Sequence, residues 1–126
     1  MKQTVLVLFL LFLLAVGCFL SILYIQTSAD QLVEDLNQLE ALISTQEWQS
    51  ALLLLTEFQE KWGKISHRWQ ILIDHDDIRD IEIGLTDLET ALLQQDVKEA
   101  QKEVRGLRYF VSHVPKNEKI AISNIL

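Results

Sequence analysis

The stretch ADQLVEDLNQLEALISTQEW, residues 29–48, decides the fold. Its apolar residues recur at alternating steps of three and four, the spacing that keeps one face of an α-helix turned toward a neighbour. The polar letters STQE, residues 44–47, then separate this apolar stripe from the next one. The stretch therefore predicts an amphipathic helix, a short connection and the start of a second helix.

Three more apolar stripes follow, and polar joints separate them at DHDD, residues 74–77, and at QQD, residues 94–96. Joints this short place successive helices side by side and antiparallel, which predicts an all-α, antiparallel four-helix bundle. The four stripes are Leu32, Leu36, Leu39, Ile43; Trp48, Ala51, Leu55, Phe58, Trp62, Ile65, Trp69, Leu72; Ile78, Ile81, Leu85, Leu88, Leu92; and Val97, Ala100, Val104, Leu107, Val111, Val114.

The second half of the bundle repeats the first. When the first two stripes are shifted by 49 residues, Leu32 through Trp62 fall on Ile81 through Val111, and the joints QEW and QDV coincide. Shared helical periodicity explains part of this match, but it does not explain why the turns coincide as well. We therefore predict two copies of one helical hairpin.

An uncharged apolar run precedes the bundle: VLVLFLLFLLAVGCFLSILYI, Val5 to Ile25. Its length is about the 20 residues that a helix needs to cross the hydrocarbon core of a membrane, which predicts a retained transmembrane helix in contact with the lipid bilayer. A cleaved signal ending at TSA, residues 27–29, is one alternative, but its apolar region would be shorter. A lipoprotein anchored at Cys18 of LAVGC is another.

The domains follow from these patterns. Residues 1–27 are predicted to form the N-terminal membrane anchor, 28–114 the helical bundle, and 115–126 a C-terminal tail. Pro115 has no amide proton to donate, so we expect it to end the fourth helix. The remaining residues are expected to form an extended tail packing on the bundle around Trp62 and Trp69.

Charge predicts the orientation and excludes one class of partner. Lys2 precedes the apolar run and acidic residues follow it, so the positive-inside rule places the N-terminus in the cytoplasm and the C-terminal domain outside the cell membrane. The formal net charge is −7. Such an acidic surface repels phosphate backbones, which argues against nucleic-acid binding.

The joint DHDD has two interpretations. Asp74, Asp76 and Asp77 suit helix-turn caps, since aspartates accept hydrogen bonds from the free amides that begin a helix. Alternatively, His67, His75 and Asp76 are metal ligands of a metal-dependent hydrolase. The capping interpretation is favoured because, in a continuous helix, Trp69 and Leu72 would point nearly opposite to Ile78, Ile81 and Leu85, and one core cannot receive both faces. The metal site is disfavoured because a continuous helix would point His67 and His75 about 80° apart. We predict no catalytic residue, no cofactor and no metal site, and hence a protein that is not an enzyme.

Basic and aromatic residues cluster in KWGKISHRW, residues 61–69. If the membrane helix continues to Ser44, an antiparallel second helix returns to the lipid surface near residue 66. This arithmetic predicts a membrane-interface collar, where basic and aromatic side chains are favoured. Its residues are Lys61, Lys64, His67, Arg68 and Trp69. The alternative is that the tryptophans belong to the core and the charges are merely solvated.

The chain resembles a known family in four segments. They are Trp69, ILIDHDDI at 71–78, IEIGLTDL at 81–88 and, most specifically, YFVSHVPKNEKIAISNIL at 109–126. On these residues it resembles the bacterial domain-of-unknown-function family 4363, small membrane-anchored proteins of Gram-positive bacteria. The resemblance implies no activity, cofactor or catalytic residue. It does imply a multi-span membrane partner, because such a protein is often encoded beside family members.

The sequence thus predicts a single-pass, membrane-anchored accessory or interaction protein. We expect its acidic, extracytoplasmic helical domain to bind another membrane or envelope protein. A metal-dependent hydrolase and a lipoprotein anchored at Cys18 remain the alternatives.

Overall fold

The fold consists of four α-helices in ring order. The computed structural model describes the backbone of residues 1–125 and the side chains of residues 1–116. The helices are α1, Lys2–Ser44; α2, Trp48–Leu72; α3, His75–Leu93; and α4, Val97–Ile125. Helix α1 packs on α2 and α4, and α3 packs on the same two helices from the other side. The predicted all-α antiparallel bundle is confirmed.

Helix α1 continues without interruption from the apolar segment into the bundle. It contains 43 residues, which corresponds to a length of about 65 Å. Every side chain from Lys2 to Leu20 is exposed, whereas buried side chains begin at Ile25 and recur up to Ile43. One half of the helix is therefore long and apolar enough to cross a membrane. The other half contributes a face of the bundle core.

The apolar stripes form the core. All but three of the predicted stripe residues are buried, and the three exceptions, Trp48, Leu72 and Val97, are partly buried against the same cluster. Buried Ile25 and Ala29 extend the core toward the apolar segment, so it starts before the predicted domain boundary at residue 28. The spacing of three and four residues thus identifies the core face of each helix.

Polar side chains hold α1 in register with both of its neighbours. Nζ of Lys61 on α2 lies 2.7 Å from Oδ2 of Asp35 on α1. On α4, Nη1 of Arg108 donates to Oε2 of Glu40 and to Oδ1 of Asn37, each at 2.6 Å. Pairs near the surface add only modest stability, but these contacts show which levels of the three helices lie side by side.

The side chain of Leu107 on α4 packs directly over Gly84 on α3. A Cβ atom at Gly84 would lie 2.7 Å from Cδ2 of Leu107. Leu107 is itself buried in the core, so a side chain at position 84 would force it to move. The glycine therefore allows these two helices to pack more closely than alanine would.

The two hairpins have equivalent turns. Gln46 and Gln95, which are 49 residues apart, both have a left-handed backbone with φ of 56°. The amide of Gln46 donates to the carbonyl of Ile43, and the amide of Gln95 donates to that of Leu92 in the same way. The next amide in each turn bonds to Leu42 or Ala91, which are again equivalent positions. The backbone thus confirms the predicted hairpin repeat.

The prediction of an extended tail over residues 115–126 is wrong for the backbone that the structure describes. Helix α4 continues through Pro115 to Ile125. Proline removes one backbone hydrogen bond and costs about 3 kcal/mol in a helix interior. Both Val114 and Pro115 are buried, so packing offsets this local cost. The predicted contact of the last segment with Trp62 and Trp69 lies outside the described residues, since it involves side chains beyond 116.

Glycine at the left-handed turn position should stabilise the bundle. Gln95→Gly removes the steric cost of a positive φ, and we expect the free energy of unfolding to rise by about 0.5–1 kcal/mol. Denaturant unfolding of the full-length protein in detergent, followed by circular dichroism at 222 nm, measures this change.

The neighbouring Gln94 is the matched control because it has a helical backbone, with φ of −80°. Gln94→Gly should lower the stability, since glycine there only adds freedom to the unfolded chain. Equal effects of the two substitutions would contradict a left-handed turn at Gln95.

Candidate functional site

The predicted collar residues occupy different environments. Trp69 is fully buried and does not contribute to a membrane-interface collar, because its stripe position turns it into the core. Lys61 forms an ion pair with Asp35, which follows the end of the apolar segment along α1. Lys64 and His67 are exposed. Of the five residues, Arg68 is the one that the structure brings against the apolar segment of α1.

Arg68 and Tyr24 form a cation–π contact between α2 and α1. The guanidinium carbon of Arg68 lies 5.7 Å from the centre of the Tyr24 ring. A shallow cleft of about 350 Å³ opens beside this contact. We call it the base cleft, and its lining residues are Leu20, Ser21, Tyr24, Arg68, Ile71 and Leu72.

A second depression shares Ser21 and Leu72 with the base cleft. It has a volume of about 410 Å³ and follows the outer surface of the apolar segment. We call it the span groove, and it is lined by Leu13, Leu14, Gly17, Cys18, Ser21, Ile22, Ile25 and Leu72. Ser21 and Leu72 belong to both sites, so the base cleft and the span groove are adjacent.

Two tryptophans fill the core next to the base cleft. The rings of Trp62 and Trp69 meet edge to face, with centroids 5.5 Å apart and planes at 89°. Among the described residues, neither indole N–H has a hydrogen-bond partner. Their stripe positions account for their burial, and the edge-to-face geometry is a favourable one for aromatic pairs.

The turn between α2 and α3 depends on Asp74. Its Oδ1 accepts a hydrogen bond from the Asp76 amide at 3.0 Å, which caps the N-terminus of α3. Asp76 instead accepts from Arg79 at 2.9 Å. Partial burial, then the charges of Asp74, Asp80 and Asp76, raise the pKa of Asp77. The DHDD joint therefore contains one side-chain cap and a repulsive cluster of carboxylates.

The described residues of the alternative metal site do not form a group of metal ligands. His67 lies exposed on α2, and His75 is the exposed first residue of α3. Asp76 forms an ion pair with Arg79. Among the described side chains, no group of three or more His, Cys, Asp or Glu residues is placed to hold a metal ion. Cys18 lies exposed in the middle of α1.

An acidic cleft that the sequence analysis missed lies between α3 and α4. It includes Asp87, Glu99 and Glu103. Partial burial raises the pKa of Glu103 above the ordinary glutamate value, and the neighbouring charges of Asp87 and Glu99 raise it further. Lys102 opposes this shift. Glu99 and Glu103 are neighbours on α4 because they are four residues apart, whereas the pairing of α3 with α4 brings Asp87 to them.

An aromatic patch on the outer surface of α4 was also missed. The rings of Tyr109 and Phe110 have centroids 5.9 Å apart, and Tyr109 stacks on His113 at 3.9 Å. Tyr109 is 57 % exposed. The signal in the sequence is that the adjacent letters YF fall off the stripe of Leu107 and Val111. Side chains at such positions point away from the core, so large aromatic residues there are expected to be exposed.

The fold and these surfaces define a class of protein. It is a small helical bundle that is continuous with a helix long and apolar enough to cross a membrane. Residues 19–125 match the family model described as "Domain of unknown function (DUF4363)", and the chain belongs to this family. Neither the search of curated proteins nor the search of solved structures found a match. The matched range includes the end of the apolar segment as well as the bundle.

Ionised Glu103 should cost stability at neutral pH. Folding raises the pKa of Glu103, so the folded state holds the proton of this carboxyl more tightly than the unfolded state does. Protonated Glu103 therefore favours the folded state at low pH, and this advantage is lost as the pH rises from the unfolded pKa through the folded pKa. Glu103→Gln removes the carboxylate. We therefore expect a higher melting temperature at pH 7 and a weaker loss of stability between about pH 4 and pH 7.

Thermal unfolding of the full-length protein in detergent across this pH range measures the effect. Glu57→Gln, at an exposed position on α2, is the control and should retain the wild-type pH dependence. A Glu103→Gln variant with an unchanged pH dependence would contradict a strained carboxylate between α3 and α4.

Proposed function

We propose that this protein is a non-enzymatic accessory protein of the cell membrane that crosses the bilayer once. Its N-terminus is cytoplasmic, and its acidic bundle outside the cytoplasm binds another membrane or envelope protein. The observation that carries the proposal is the uninterrupted helix α1, which connects an exposed apolar segment rigidly to the bundle.

The exposed apolar segment supports the anchor. From Val5 to Leu14, every large apolar side chain is about half exposed or more. Water would hydrate this surface at a large free-energy cost, whereas a lipid bilayer removes it from water. Lys2 lies at one end of the segment, and Asp30, Glu34 and Asp35 follow the other end. This asymmetry supports the orientation.

The continuity of α1 also supports a role that depends on position. A helix without a break holds the bundle at a fixed height and angle relative to the membrane, whereas a flexible linker would let it wander. A fixed height suits a protein that contacts one partner in the same membrane or in the envelope just beyond it.

The aromatic patch of Tyr109, Phe110 and His113 supports a binding role. Aromatic residues are enriched in protein–protein interfaces, where they supply rigid contact area. The conspicuous polar residues of the DHDD joint have structural contacts: Asp74 caps α3, and Asp76 pairs with Arg79. A binding role therefore explains why the aromatic patch is exposed. A catalytic role at the joint would have to use side chains that already cap a helix or form an ion pair.

Crosslinking from outside intact cells tests both the orientation and the partner. In a Cys18→Ser background, Gly106→Cys introduces a thiol beside the aromatic patch, where a Cβ atom meets nothing within 4 Å. A membrane-impermeant reagent carrying a maleimide and a photoreactive group is then applied and irradiated. We expect labelling in intact cells and capture of an integral membrane or envelope protein, identified by mass spectrometry.

Glu57→Cys, on the exposed surface of α2, is the matched control. It should be labelled from outside to the same extent but should not capture that partner. Labelling only after lysis would contradict the orientation. Equal capture at both positions, or none at either, would contradict a partner bound at the aromatic patch.

A further inference from the structure

The base cleft lies at the level where the apolar segment ends. Helix α2 runs back along α1 for 25 residues, or about 37 Å. This length brings Leu72 beside Ser21 and Ile25. A hydrocarbon core of about 30 Å needs about 20 residues of helix, so it occupies all of the run from Val5 to Ile25. The tip of α2 therefore reaches the boundary between acyl chains and headgroups.

At this level, the apolar side chain of Ile71 points away from the core. It is 82 % exposed and lies at the rim of the base cleft. The other walls of the cleft include Leu20 and Leu72, so apolar surface dominates it. In water this exposure is unfavourable, whereas contact with acyl chains removes it from water.

Arg68 supplies the charge at the same site. Its guanidinium group lies against Tyr24, and no carboxylate among the described side chains pairs with it. Guanidinium groups bind phosphate through two parallel hydrogen bonds. Arginine beside an aromatic ring is also favoured at the headgroup level of a membrane.

The span groove provides a path for an acyl chain. It adjoins the base cleft at Ser21 and Leu72 and continues along the apolar segment to Leu13 and Leu14. A phospholipid has the matching order of groups, with a phosphodiester above two acyl chains. Four aspartates lie near the start of α3, at 74, 76, 77 and 80. Their charge gives no advantage to a lipid with a net negative headgroup.

We propose that the base cleft and the span groove together bind one phospholipid of the leaflet that faces the bundle. Arg68 contacts the phosphodiester, Ile71 lies among the uppermost acyl carbons, and an acyl chain follows the span groove. Recognition depends on the phosphodiester that phosphatidylcholine and phosphatidylglycerol share. The site requires the membrane anchor proposed above, but it requires no protein partner.

Depth measurements by electron paramagnetic resonance test the position of the base cleft. Single nitroxide labels are placed at Ile71→Cys, Leu53→Cys and Leu10→Cys in full-length Cys18→Ser protein, reconstituted in phosphatidylcholine nanodiscs. The collision rates with oxygen and with a water-soluble nickel chelate are compared. We expect the Leu10 label to be buried in lipid and the Leu53 label to be in water. The Ile71 label should lie between them and be shielded from nickel.

Leu53 is the matched control because it is also an exposed apolar residue of α2, 64 % exposed, but it lies toward the other end of the helix. Nickel accessibility at Ile71 equal to that at Leu53 would overturn the lipid contact while leaving the anchor intact. Nickel accessibility at Leu10 would overturn the anchor and the phospholipid site together.

Native mass spectrometry tests the role of Arg68. Full-length protein is released from nanodiscs of phosphatidylcholine or of phosphatidylglycerol, and the fraction that retains one phospholipid is measured. We expect the wild type to retain the lipid from both membranes. Arg68→Gln should reduce retention about tenfold, since a charge-assisted hydrogen bond to the phosphate is lost.

Arg79→Gln is the matched control, since Arg79 lies near the same end of the bundle and pairs with Asp76 outside the cleft. It should retain the lipid as the wild type does. Equal retention by the two variants would overturn the phosphate contact of Arg68. Retention from phosphatidylglycerol alone would overturn recognition through the shared phosphodiester.

Discussion

The burial of one face of α1 from Ile25 onward is the constraint on which the rest of the structure depends. The same helix is exposed from Lys2 to Leu20, becomes partly buried up to Tyr24, and supplies the core from Ile25 onward. No glycine or proline interrupts the transition, so the apolar segment and the bundle share one axis. Asp35 and Glu40 then hold α2 and α4 against this axis through Lys61 and Arg108. These two contacts mark the levels at which α2 and α4 lie beside α1.

The two hairpins share one backbone arrangement. They differ at the end of the bundle where the base cleft lies. The turns at Gln46 and Gln95 are equivalent, and both lie at the end of the bundle away from the apolar segment. At the opposite end the two hairpins differ. There α1 extends into the apolar segment, while α4 continues through Pro115. The base cleft occurs at this end, where the repeat no longer holds.

The core could be predicted from the sequence because helical periodicity alone fixes which face of each helix is buried. Leu32 through Val114 follow this spacing closely, and the coinciding turns identified the hairpins. The lengths of the first two predicted helices also predicted that the C-terminal end of α2 lies near the apolar segment. The environment of Trp69 was ambiguous, because a tryptophan near a lipid surface fits both the apolar stripe of the core and the membrane-interface collar. The register of α2 against α1 decides between them, since it turns Trp69 into the core and leaves Arg68 facing Tyr24.

Other features depend on tertiary contacts that no local pattern encodes. Pro115 has a local penalty that predicts the end of a helix, but burial of Val114 and Pro115 offsets it and α4 continues. The acidic cleft requires Asp87 of α3 and Glu103 of α4 to lie close together, which depends on the packing of α3 on α4. The aromatic patch was predictable in principle, because Tyr109 and Phe110 fall off the stripe. What it binds depends on a second molecule.

If one rigid helix joins the apolar segment to the bundle, the backbone amides between them must be protected. Amide hydrogen exchange of the full-length protein in lipid nanodiscs, resolved by residue, measures this protection. We expect the amides from Gln26 to Asp30 to exchange as slowly as those from Leu32 to Ile43. Exchange at Gln26 to Asp30 as fast as in the connection at residues 45–47 would show a hinge between anchor and bundle and would rule out a rigid connection.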